Sequence, residues 1–105
     1  MLKLKTFAVA AGLSVLLALP ALAADHAVAI KGMKFVPASI EVAAGDTITF
    51  TNMDSAPHTA SANDGSFDTG RLGKGDSAKV TIGGAGSFDY ICKIHPMMKG
   101  KVVAN

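Results

Sequence analysis

Apolar and polar residues alternate in short runs over most of the chain. Thr47-Ile48-Thr49-Phe50-Thr51 sets Ile48 and Phe50 on one face and the threonines on the other. A two-residue period is the mark of a half-buried strand. Ser39-Ile40-Glu41-Val42 repeats it, and Ala78, Val80 and Ile82 oppose Ser77, Lys79 and Thr81. Phe88, Tyr90 and Cys92 line one side of another strand. His26 to Lys31 reads as a first strand and Gly100 to Ala104 as a last. Ala44-Gly45-Asp46, Asn63-Asp64-Gly65-Ser66, Gly73-Lys74-Gly75-Asp76 and Gly83-Gly84-Ala85-Gly86 punctuate these runs as turns. No long helical period appears, and a helix within 53–75 has only weak support. Six to eight short strands at this spacing predict an all-β sandwich or barrel.

The first 23 residues follow a different pattern. Lys3 and Lys5 precede an apolar run from Phe7 to Leu19, Pro20 breaks it, and Ala21-Leu22-Ala23 has the small-x-small form of a cleavage site. This is the layout of a secretory signal peptide. The run of 13 residues is short for a membrane span, which takes about 20. Residues 1–23 are therefore expected to be a removed leader and residues 24–105 the exported domain, with no stable membrane insertion. The leader takes two lysines with it and leaves eight basic residues against eight acidic ones. A neutral domain gives no case for nucleic acid. One cysteine excludes an internal disulfide and any Cys-x-x-Cys motif. A domain this small gains from a staple, and a metal is the remaining candidate.

The chemistry concentrates in Tyr90-Ile91-Cys92-Lys93-Ile94-His95-Pro96-Met97-Met98, where Cys92, His95 and Met98 recur at every third position. At a strand exit, that spacing offers sulfur, nitrogen and sulfur to one point. His58 follows the 47–52 strand and is placed to reach the same point from a neighbouring loop. Two histidines and a cysteine with a weak axial methionine form the donor set of a blue-copper centre. The thiolate and the imidazoles suit both oxidation states of copper, and the neutral thioether favours Cu(I). The His-x-x-Met spacing selects Met98 over Met97, which is expected to face outward beside His95.

Residues 33–104 resemble a small bacterial cupredoxin of the amicyanin/plastocyanin/pseudoazurin group, with amicyanin nearest. The resemblance rests on Gly45-Asp46-Thr47-Ile48-Thr49-Phe50, Pro57-His58-Thr59, Phe67-Asp68-Thr69-Gly70 and Phe88 through Val103. The short Cys-x-x-His-Pro-x-Met loop is its most specific part. It implies a Greek-key β-sandwich, one copper held by His58, Cys92, His95 and Met98, and periplasmic electron shuttling without substrate turnover. Two departures stand out. The family often places Asn directly after the first ligand histidine, where it ties the ligand loops together; Thr59 stands there instead. The chain is also short before Met33, which leaves room for a reduced leading strand or none.

In the family the second ligand histidine is the exposed edge of the site, which makes His95 the electron exit. Met53, Ala56, Pro57, Pro96 and Met97 are the candidates for an apolar ring around it. Lys93, Lys99 and Lys101, with Arg71 and Lys74, are expected to make that end positive and to steer an acidic partner, such as a c-type cytochrome or a periplasmic dehydrogenase. A monomer is expected. The alternative function is copper binding and delivery without a dedicated redox partner. Cleavage after Ala23 also exposes Ala24-Asp25-His26, whose amine, amide nitrogens and imidazole can wrap Cu(II) in a square plane; an ordinary flexible terminus is the favoured reading of it.

Overall fold

Eight strands form, six of them where the alternation predicts and two as short two-residue additions. They are β1 (Asp25–Ile30), β2 (Phe35–Val36), β3 (Ser39–Val42), β4 (Thr47–Asn52), β5 (Ser61–Ala62), β6 (Ser77–Thr81), β7 (Gly86–Ile91) and β8 (Lys99–Ala104). The computed structural model describes residues 22–105. The expected leader lies outside them, apart from Leu22 and Ala23, which are exposed. Among the described residues no helix is long and apolar enough to cross a membrane.

The strands form two four-stranded sheets, ordered β2-β1-β4-β6 and β3-β8-β7-β5. This is the expected sandwich. Two expectations are corrected. Residues 53–75 hold no helix; the stretch is turns, the two-residue β5 and isolated bridges at His58–Leu72 and Ser61–Asp68. Its Gly and Asp residues close tight turns in place of a helical stripe. The leading strand is complete, because β1 runs parallel to β4 from Asp25↔Thr47 to Ile30↔Asn52.

The inward faces are the ones the alternation marks. Val28, Ile30, Ile48 and Phe50 come from one sheet and Val42, Tyr90, Val102 and Ala104 from the other, all buried. Tyr90 sits at the centre, its ring centroid 4.7 Å from Phe35, 5.5 Å from Phe50 and 5.7 Å from Phe67. Tilted and edge-on ring pairs add about 0.5–1.5 kcal/mol each beyond their burial. Tyr90 faces Gly100 across the β7–β8 ladder. A Cβ at Gly100 would fall on the Tyr90 ring, so this glycine makes room for the central aromatic.

Register also decides where the loops go. The parallel β1–β4 pair ends with Ile30 beside Asn52, and the β7–β8 pair opens with Ile91 beside Lys99. The segments 31–34, 53–60, 70–76 and 92–98 therefore gather at one pole. At the opposite pole Asp46 ties the start of β1 to the turn before β4. Its carboxylate accepts from the Ala24 N–H and from Nε2 of His26 and the N–H of Ala43, each at 2.9 Å. Asp25 and His26 lie in a sheet, and the His26 ring is held by Asp46, so the segment is not the expected flexible terminus.

Two outcomes follow from these contacts. Gly100→Ala should lower stability by about 1–3 kcal/mol through overpacking, read by urea or thermal unfolding. The Ala24 N–H, then His26 and Ala43, hold the Asp46 carboxyl down at about 2 against an ordinary 3.8. A lowered folded-state value means that its stabilisation is full above 3.8 and is lost as pH falls through about 2. Asp46→Asn should therefore lower stability near neutrality and flatten the decline between pH 4 and pH 2, measured by unfolding across that range.

Candidate metal centre

His58 reaches the loop pole through a loop braced from both sides. Asn52, fully buried at the end of β4, donates through Nδ2 to the carbonyls of Ala56 and Leu72, both at 2.9 Å, and its Oδ1 accepts the Asp54 N–H at 2.9 Å. His58 then pairs with Leu72 through reciprocal backbone bonds of 3.0 and 2.8 Å. Asp54 completes the brace. Its carboxylate accepts the N–H groups of Gly32 at 2.8 Å and Met33 at 3.0 Å, and meets His58 Nε2 at 3.0 Å. Met33 adopts φ 62°, a left-handed conformation that normally costs about 1–2 kcal/mol outside glycine, in the turn that points its N–H at Asp54.

These bonds set the state of the ring. The N–H donors of Met33 and Gly32 hold the Asp54 carboxyl below its ordinary value, so it is an ionised acceptor. A proton on His58 Nε2 suits that acceptor, and the neutral tautomer that carries it there presents the Nδ1 lone pair to a metal. Nδ1 faces Cys92 Sγ at 3.7 Å, and Nδ1 of His95 faces the same sulfur at 3.8 Å. Both the His58 ring and Cys92 are fully buried, while His95 is half-buried.

The sulfur sits between two amides. The N–H groups of Thr59 and His95 both donate to Cys92 Sγ, each at 3.4 Å. The Cys92 N–H bonds the Met98 carbonyl at 3.1 Å, and the Met98 N–H bonds the His95 carbonyl at 2.9 Å. This closes 92–98 into a tight turn and brings Met98 inward at 3% exposure, against 77% for Met97. Thr59 supplies the tie between the ligand loops by a different route from Asn: its Oγ1 accepts the Lys93 N–H at 2.9 Å.

The spacing of the donors matches a shared ion. A nitrogen and a sulfur bound at about 2.0 and 2.3 Å, and about 120° apart, lie roughly 3.7 Å from each other. The three donor atoms of His58, Cys92 and His95 all lie within 4.8 Å of one another. The structure therefore brings these three together, with Met98 folded inward on the same loop. The bracing roles of Asn52 and Asp54 escaped the sequence reading. Asp54 left a signal there, as a carboxylate four residues before a candidate ligand histidine.

Known proteins resemble this chain in sequence and fold. Residues 6–104 match the Cupredoxin-like domain family. Amicyanin of Paracoccus versutus is 32% identical over 81 residues, covering 72% of this chain and 61% of that protein. The chain thus spans less than two thirds of that relative. Amicyanin-alpha of Methylorubrum extorquens is 35% identical over 81 residues, covering 72% of this chain and 68% of its own. Plastocyanin A/B of Petroselinum crispum is 31% identical over 87 residues, covering 70% of this chain and 90% of its own. Among solved structures, a methionine-to-alanine variant of amicyanin in its Cu(I) form superposes with a TM-score of 0.72 at 30% identity, over 77% of this chain and 82% of that one. Sequence and fold agree, and the chain belongs to the cupredoxin family as a small cupredoxin of the amicyanin kind.

Proposed function

We propose that the chain is a periplasmic electron carrier that passes single electrons through one type 1 copper bound by His58, Cys92, His95 and Met98. The observation that carries this reading is the convergence of two histidine Nδ1 atoms on one buried cysteine sulfur, at 3.7 and 3.8 Å. Copper supplies the one-electron couple. The residues supply a site that is assembled beforehand: His58 is locked by Asp54, and the sulfur is held by two N–H groups. Donors fixed in this way have little need to move when an electron arrives. Met98 is the axial candidate because it alone of the two loop methionines is buried. The chain turns over no substrate of its own.

The surface around His95 supports docking of a redox protein. Met97, Met53 and Ile94 are exposed at 77%, 53% and 37%, and Pro96 is exposed beside them. A small apolar face suits a brief encounter. The positive rim differs in membership from the sequence expectation. Lys93 pairs with Asp68 at 2.7 Å, and Lys101 lies 3.9 Å from Asp89 on the sheet. Among the described residues, no carboxylate lies within ion-pair distance of Lys31, Lys34, Arg71, Lys74 or Lys99. Four of them stand on the segments at the metal pole and Lys99 opens β8 directly after one, so a c-type cytochrome or dehydrogenase with an acidic docking face fits there.

Two measurements test this reading. One equivalent of Cu(II) should give the protein an intense red-region absorption, bleached by ascorbate and restored by ferricyanide. Cys92→Ser should abolish the band, and Met98→Gln should keep it while lowering the potential. A blue site retained in Cys92→Ser overturns the ligand set, and copper lost to a chelator during redox cycling favours delivery over electron transfer. The second measurement compares charged redox probes. Ferricyanide should oxidise the reduced protein faster at low salt than at high salt, and Lys99→Glu should slow it about threefold to tenfold at low salt. A cationic cobalt complex should show the opposite salt trend.

A further inference from the structure

Behind the cysteine sulfur runs a closed ring of polar contacts that leaves the metal loop at Lys93 and returns to it. The Lys93 N–H donates to Thr59 Oγ1 at 2.9 Å. Thr59 Oγ1 meets Ser61 Oγ at 3.0 Å, and Ser61 Oγ donates to Asp68 Oδ1 at 2.9 Å. Asp68 Oδ2 takes the Lys93 ammonium at 2.7 Å. Thr59 and Ser61 are buried, at 6% and 2% exposure.

The proton directions in this ring are fixed. The Lys93 ammonium and the Gly70 N–H hold the Asp68 carboxyl below its ordinary value, so it is ionised and only accepts. Ser61 commits its single proton to Asp68, so it must accept from Thr59. Thr59 in turn donates to Ser61 and accepts from the Lys93 N–H. Every donor therefore points the same way, toward one carboxylate. Such one-way chains strengthen each member by polarisation.

The ring bears on the sulfur because it grips residues on both sides of it. Lys93 follows Cys92 directly, and Thr59 is the residue whose N–H meets Sγ at 3.4 Å. If the ring opened, the peptide after Cys92 would lose its anchor on Thr59, and the Thr59 N–H would drift from the sulfur. An N–H donor at a thiolate stabilises the electron-rich, reduced side of a copper–thiolate couple. Resting on the copper reading above, we infer that Ser61 and Asp68, which touch neither copper nor its ligands, are positioning residues: through Thr59 they hold an N–H on Cys92 Sγ and thereby raise the potential of the centre.

The test is redox titration and visible spectroscopy of the copper-loaded protein. Ser61→Ala carries no change of charge. It should keep the blue band but shift its energy, and move the couple about threefold to tenfold toward Cu(II) at fixed ambient potential, about 30–60 mV lower. Thr59→Val should do the same, and Thr59→Ser, which keeps the hydroxyl, should restore the parent values. Asp68→Ala removes the acceptor of the ring and also a negative charge, so its test is the blue band, which should shift as in Ser61→Ala. If Ser61→Ala fails to fold, Thr59→Val against Thr59→Ser decides. Parent-like potential and spectrum in Ser61→Ala or Thr59→Val overturn the inference, as does a parent-like band in Asp68→Ala. A parent protein with no blue band rejects the copper reading itself, which separates the two failures.

Discussion

The sulfur of Cys92 must sit buried between two loops that the chain separates by more than thirty residues, and the surrounding architecture meets that constraint. A buried thiolate is costly unless positive or hydrogen-bonding partners surround it. Here two backbone N–H groups donate to it, and two imidazole nitrogens face it at the distance that a shared cation would set. None of the four comes from an isolated choice of residue. The His58 ring depends on Asp54, which depends on a left-handed turn at Gly32 and Met33. The Thr59 amide depends on the β5 segment and its tie to Lys93. The His95 amide depends on the closure of the 92–98 turn by Met98.

The sheets serve this end by register. Parallel pairing of β1 with β4 puts the Gly32–Met33 turn beside Asp54. Pairing of β7 with β8 fixes the two ends of the turn that holds Cys92, His95 and Met98. Gly100 belongs to the same logic, because it lets Tyr90 lie flat against β8 two residues beyond Met98. The aromatic core and the site are thus joined through a single hairpin.

Much of this was legible in the sequence where a period of two or a fixed spacing carried the information. The six longer strands lie within two residues of the alternating runs that predict them. The inward positions Ile48, Phe50, Val80 and Tyr90 are the ones their alternation marks. Cys92 and His95 were readable because their side chains and their spacing are both distinctive. The two-residue strands β2 and β5 were not, since two residues show no period. The roles of Asn52, Asp54, Ser61 and Asp68 could not be read for a different reason. Each is an ordinary loop or strand residue whose role arises only when distant segments meet. The Ala24-Asp25-His26 segment shows the same limit, because the local motif gives no sign of Asp46, twenty residues from His26. Thr59 shows the reverse case: a residue that departs from the family habit makes the same tie through a hydroxyl and the ring behind it.

The order of the donors along the chain also has a consequence for how the molecule folds. Three of the four candidate ligands lie within seven residues on one hairpin, a contact that closes quickly. The fourth, His58, depends on β4, and β4 pairs with β1 across a long parallel crossover. Parallel pairings of β1 with β4 and of β3 with β8 give a high mean sequence separation, which slows folding. Closure of 92–98 and the slow parallel contacts are thus separate requirements: the first sets Cys92, His95 and Met98 side by side, and the second brings His58 to them from the far side of the sandwich.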